Sequence, residues 1–64
     1  MENVVWFGFG IEVILRDGQY FIRYDAGEIV PKLEEVSVTP EQVERAKMSE
    51  AEAYKVLIEA TASR

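Results

Sequence analysis

Neither cysteine nor histidine occurs anywhere among the 64 residues. Without cysteine no disulfide can form, and no thiolate is available as a metal ligand or nucleophile. Without histidine the commonest transition-metal ligand is gone, and so is the usual general base. Ser–His and Cys–His pairs are therefore excluded, and neither a metal site nor a cofactor is expected. Basic residues are scarce as well: seven Lys and Arg stand against twelve Asp and Glu, for a net charge of −5. Nucleic-acid binders present a basic face to phosphate, so no nucleic-acid partner is expected. No apolar run reaches the length that spans a bilayer. The start of the chain, Met1-Glu2, lacks the basic stretch that opens a signal peptide. The expectation is a cytoplasmic protein with no membrane partner.

What is present is an ordinary globular mixture, 48% apolar and 30% charged. Residues 1–64 make one small domain. A domain of this size buries only about 60% of the surface its unfolded chain exposes. With disulfides and metals removed, self-association is the remaining external support for such a core.

Residues 4–16 read as one long strand. Val5, Phe7, Phe9, Ile11, Val13 and Leu15 are all apolar, and the even positions between them are mixed. This period of two assigns the odd residues to a buried face. Asp17-Gly18 is a two-residue hairpin signal, and residues 19–25 form the return strand. Placing Arg16 opposite Gln19 pairs Leu15 with Tyr20, Val13 with Ile22 and Ile11 with Tyr24. On the other face Ile14 meets Phe21 and Glu12 meets Arg23. One register matches apolar with apolar and acid with base, and a slip of one residue destroys both patterns. Ala26-Gly27 reads as a second turn, with Asp25 belonging to it. Residues 28–38 form a third, edge strand, since Pro31 cannot donate to a ladder.

Thr39-Pro40-Glu41-Gln42 announces a helix with a capping box and proline at its first position. Ser49-Glu50-Ala51-Glu52 repeats the signal. The expectation is one kinked helix, or two over residues 40–47 and 50–62, with Glu41 pairing with Arg45. Val43, Ala46, Ala51, Tyr54, Leu57, Ile58 and Thr61 share one side of a continuous wheel. The fold class is thus α+β: a three-stranded antiparallel meander with C-terminal helices packed on the odd sheet face.

That arrangement leaves the even face without a helix. It carries Trp6, Gly8, Gly10, Glu12, Ile14, Phe21 and Arg23. Glycine weakens a strand by about 0.5–1 kcal/mol, so two of them beside a tryptophan call for a reason. Either they open a shelf for a partner's backbone or ring, or they serve the strand locally while Trp6 folds over them. No chemistry is expected at this face. Glu12 is explained by Arg23, Tyr20 and Tyr24 by packing, and the Gly-Phe-Gly fragment is no phosphate loop. In size and charge the chain is similar to small immunity and inhibitor proteins, a likeness that covers no motif. The expected function is that of a non-catalytic module docking on another protein through the even face. The alternative is an obligate homodimer that uses the same face for self-association and serves a structural or small-ligand-binding role.

Overall fold

A computed structural model describes residues 2–27 and 29–62. An antiparallel sheet precedes two C-terminal helices, as expected, but the sheet has four strands rather than three. They are β1 (Glu2–Gly8), β2 (Ile11–Arg16), β3 (Gln19–Asp25) and β4 (Leu33–Val38), hydrogen-bonded in chain order. The helices are α1 (Pro40–Ala46) and α2 (Glu50–Ala62).

The extra strand arises where residues 4–16 break in two. Phe9 and Gly10 have φ of 53° and 77°, and Gly8 lies opposite Ile11. This is the primed two-residue turn whose twist suits a hairpin. Asp17 and Gly18 adopt the same conformation, with φ of 52° and 77°. Asp-Gly announces such a turn because aspartate tolerates left-handed φ, whereas a bulky aromatic rarely enters it. Phe9 therefore reads as strand until the backbone is seen.

Between β2 and β3 the register is the one expected. Arg16 faces Gln19, Leu15 faces Tyr20, Ile14 faces Phe21, Val13 faces Ile22 and Glu12 faces Arg23. Between β1 and β2 a bulge intervenes: Val4 pairs with Ile14, but Trp6 pairs with Val13. The turn sets Gly8 opposite Ile11, Phe7 opposite Glu12 and Trp6 opposite Val13, so Trp6 and Gly8 face the helices and Phe7 turns away. Val5 is the extra residue of the bulge, which returns Val4 to the outer face opposite Ile14. Phe7, expected in the core, is 77% exposed.

The strand expected over residues 28–38 starts only at Leu33, and Glu28 lies outside the described residues. Its pairing sets Val36 opposite Ile22 and Val38 opposite Tyr20. Both valines thereby face the helices and are buried.

Thr39 caps α1 with both halves of the capping box. Its hydroxyl accepts from the Gln42 amide at 3.1 Å, and the Gln42 side chain accepts from the Thr39 amide at 2.9 Å. Ser49 caps α2 by accepting from the Glu52 amide at 3.2 Å. Because residues 47–49 separate the helices, a single continuous wheel does not describe them. Val43 and Ala46 are buried as expected, but α2 buries Ala53, Val56 and Ala60 while Tyr54 and Ile58 stay exposed. Alanines at the contact let α2 lie close to the sheet. Arg45, expected to pair with Glu41, instead reaches from α1 to α2 and donates to Glu59 at 2.9 and 3.0 Å. The core joins these helical residues to Ile11, Val13, Ile22, Val36 and Val38, with Trp6, Tyr20, Tyr24 and Leu57 packed around them.

Candidate protein-docking surface

The seven residues expected on one face are divided by the β1–β2 turn. Trp6 and Gly8 lie on the helix side. A side chain at Gly8 would come within 2.8 Å of the Trp6 ring, which occupies the space above it. Gly10 is the second turn residue, with nothing within 4 Å of where its side chain would begin. The two glycines thus serve different local purposes, and no continuous shelf connects them. Trp6 also meets the Phe9 ring at 5.8 Å between centroids. Together these rings close one end of the core.

Glu12, Ile14, Phe21 and Arg23 do lie together on the outer face, away from the helices. Ile14 is fully buried there, although no helix covers it among the described residues. A closed ring of ion pairs provides the cover. Arg16 donates to Glu2 at 2.6 Å and to Glu35 at 3.0 Å. Arg23 donates to Glu2 at 2.9 Å and to Glu35 at 2.8 Å. Glu12 stands farther from Arg23, at 3.8 Å. Glu2 is on β1, Arg16 on β2, Arg23 on β3 and Glu35 on β4, so the ring ties all four strands. The Arg16 guanidinium also lies 4.9 Å from the centroid of the Phe21 ring, a cation–π contact.

The ring sets its own electrostatics. Hydrogen bonds from Arg16 and then Arg23 hold Glu2 below the ordinary value of 4.5. The bond from Arg23 chiefly holds Glu35 low, against the opposing effect of burial. Both arginines are raised, Arg16 chiefly by Glu2 and Arg23 chiefly by Glu35. These groups remain ionised at neutral pH and engaged with one another, an arrangement suited to holding strands and not to moving protons. Of the ring, the sequence disclosed only the Glu12–Arg23 register. The longer-range partners Glu2 and Glu35 depend on strand order, which pairwise register does not contain.

What the ring leaves open is β1. It is one edge of the sheet, and among the described residues no strand pairs with its outer side. Val4 and Val5 are each 48% exposed beside the more exposed Phe7. Edge strands are commonly blunted by lysine, proline or inward charges. β4, at the other edge, carries Glu34 and Glu35, whereas residues 3–8 of β1 carry no charge and no proline. Its only such device is the bulge at Val5.

No group of three or more acidic residues among those described is placed to hold a metal ion. No described helix is long and apolar enough to cross a membrane. Comparisons with protein-family models, with curated proteins and with solved structures found no significant match.

Proposed function

We propose that this chain is a non-catalytic protein-binding module, of inhibitor, immunity or regulatory type, that docks on another protein through β1 and the adjoining outer sheet surface. The observation that carries this reading is the state of β1: apolar side chains exposed on an edge with free backbone donors and acceptors. A partner strand adding to such an edge gains main-chain hydrogen bonds, and alternate side chains supply specificity. Val4 and Phe7 are the anchors on the outer side, with Glu12 and Arg23 at their rim. Ile14 and Phe21 support the surface from beneath the ion-pair ring.

The test is affinity capture with immobilised protein. Wild type is compared with Val4→Ser/Phe7→Ser and with Lys55→Ser on the opposite, helical side. The reading expects a specific polypeptide retained by wild type and Lys55→Ser and lost from the β1 variant, whose circular dichroism is unchanged. Equal retention by all three would exclude β1 as the contact.

A further inference from the structure

The β1–β2 turn and the β3–β4 connection lie at the same end of the antiparallel sheet. Exposed apolar residues gather there in two forms, one protruding and one recessed. The protruding part is Ile29 and Val30, 95% and 72% exposed. The connection that displays them has a constructed base. Asp25 Oδ1 accepts from the amides of Gly27 and Lys32, both at 2.9 Å, and the Ala26 amide donates to the Lys32 carbonyl at 2.8 Å. A side chain on Gly27 would fall 1.8 Å from the Val30 carbonyl oxygen, so only glycine fits. These bonds fix the base of the connection that carries Ile29 and Val30.

The recessed part is a groove between the β1–β2 turn and α2. Two adjoining depressions of about 470 and 650 Å³ share Phe9, Ile11, Tyr54 and Leu57. The larger extends to Ile58 and Tyr24, and its rim includes Asp25 and Ala26, the base of the same loop. Knob and groove therefore adjoin on a single protomer.

We propose that the occupant of this groove is a second copy of the chain, each protomer seating Ile29 and Val30 in the groove of the other. A two-fold axis beside the loop base makes the patch self-complementary, as an isologous interface requires. Extent and charge both favour this occupant. Phe9, Ile29, Val30, Tyr54 and Ile58 together expose on the order of 600 Å², at the low end of what each partner contributes to a specific interface. Lys32, 71% exposed and 3.7 Å from Glu34, flanks the knob, whereas Glu50 and Asp25 line the groove. Across the axis a basic flank meets an acidic rim. This dimer leaves β1 free and is distinct from the docking surface proposed above.

Sedimentation equilibrium across a hundredfold dilution series tests it. Wild type is expected to dimerise, and Ile29→Ser/Val30→Ser to weaken the dimer by about tenfold or more, with a melting temperature unchanged at dilutions where both are monomeric. Phe7→Ser should leave the dimer intact. Lys32→Glu and Glu50→Lys should each weaken association, and together restore it. A monomer at every concentration would overturn the proposal. So would a dimer that survives Ile29→Ser/Val30→Ser and is lost in Phe7→Ser, since its contact would then be β1.

Discussion

Phe9, Gly8 and Gly10 show how one short stretch can carry three separate constraints. Gly10 answers to backbone conformation alone: its φ of 77° favours glycine, and the space around it is open. Gly8 answers to space alone, because the Trp6 ring fills the volume above it. Phe9 adopts a conformation that bulky residues avoid and places its ring against Trp6. Replacing each glycine with valine should therefore fail differently. Gly10→Val is expected to lose about 1–2 kcal/mol from the left-handed backbone, leaving Trp6 emission unchanged. Gly8→Val is expected to displace the indole, shifting Trp6 emission to the red, with about 1–3 kcal/mol of overpacking. Urea melts followed by Trp6 fluorescence read both effects, and identical spectra for the two variants would refute the division.

At the scale of elements, the helices are held at their ends and by small residues rather than by a broad apolar stripe. α1 has only seven residues, well below the length at which an isolated helix is stable. Its start is secured by the reciprocal Thr39–Gln42 bonds, and Val43 and Ala46 bind it to the sheet. Thr39→Ala removes the hydroxyl that accepts from the Gln42 amide. The expected loss is about 1 kcal/mol, seen as a lower urea midpoint with an unchanged slope. An unaltered midpoint would mean that water replaces the cap without loss. In α2 the contact residues are Ala53, Val56 and Ala60, so Tyr54 and Ile58 are left outward to line the groove.

For the whole molecule, the ion-pair ring ties the four strands on the outer face, where no described helix packs. Exposed pairs are individually weak, but this one closes on itself and covers Ile14. Glu2, Glu35, Glu59 and Asp25 all sit below their ordinary values. Arg16 is the chief cause for Glu2, Arg23 for Glu35 and Arg45 for Glu59; for Asp25 it is the Lys32 amide. A depressed folded-state value means the unfolded chain binds protons first as pH falls. The stabilisation is full above the ordinary values of 4.5 for glutamate and 3.8 for aspartate, and is lost as pH falls through the lower folded values. The urea midpoint should thus be level from about pH 7 to 5 and decline below about pH 4. Glu2→Gln/Glu35→Gln should show a shallower decline. A wild-type midpoint that stays level down to pH 3 would deny the ring any part in stability.

While leaving open whether the helical region breaks near Ser49, the sequence by itself determined the β2–β3 hairpin, its register, the capped start of α1 and the order of sheet before helices. Each of these rests on local chemistry: Asp-Gly turn geometry, side-chain alternation across two residues per repeat, and hydroxyl caps on free amides. Fold class and the general position of a sheet face turned from the helices were legible for the same reason. Only the tertiary structure decided which residues occupy that face. A turn at Phe9-Gly10 inverts the parity of β1 without a distinctive residue to announce it, so Trp6 and Gly8 went inward and Phe7 outward, and a bulge at Val5 then sends Val4 to the outer face. The closed ring of Glu2, Arg16, Arg23 and Glu35 likewise needed all four strands side by side. Its members are as many as 33 residues apart in the chain, and only the strand order β1-β2-β3-β4 brings their charges within reach of one another.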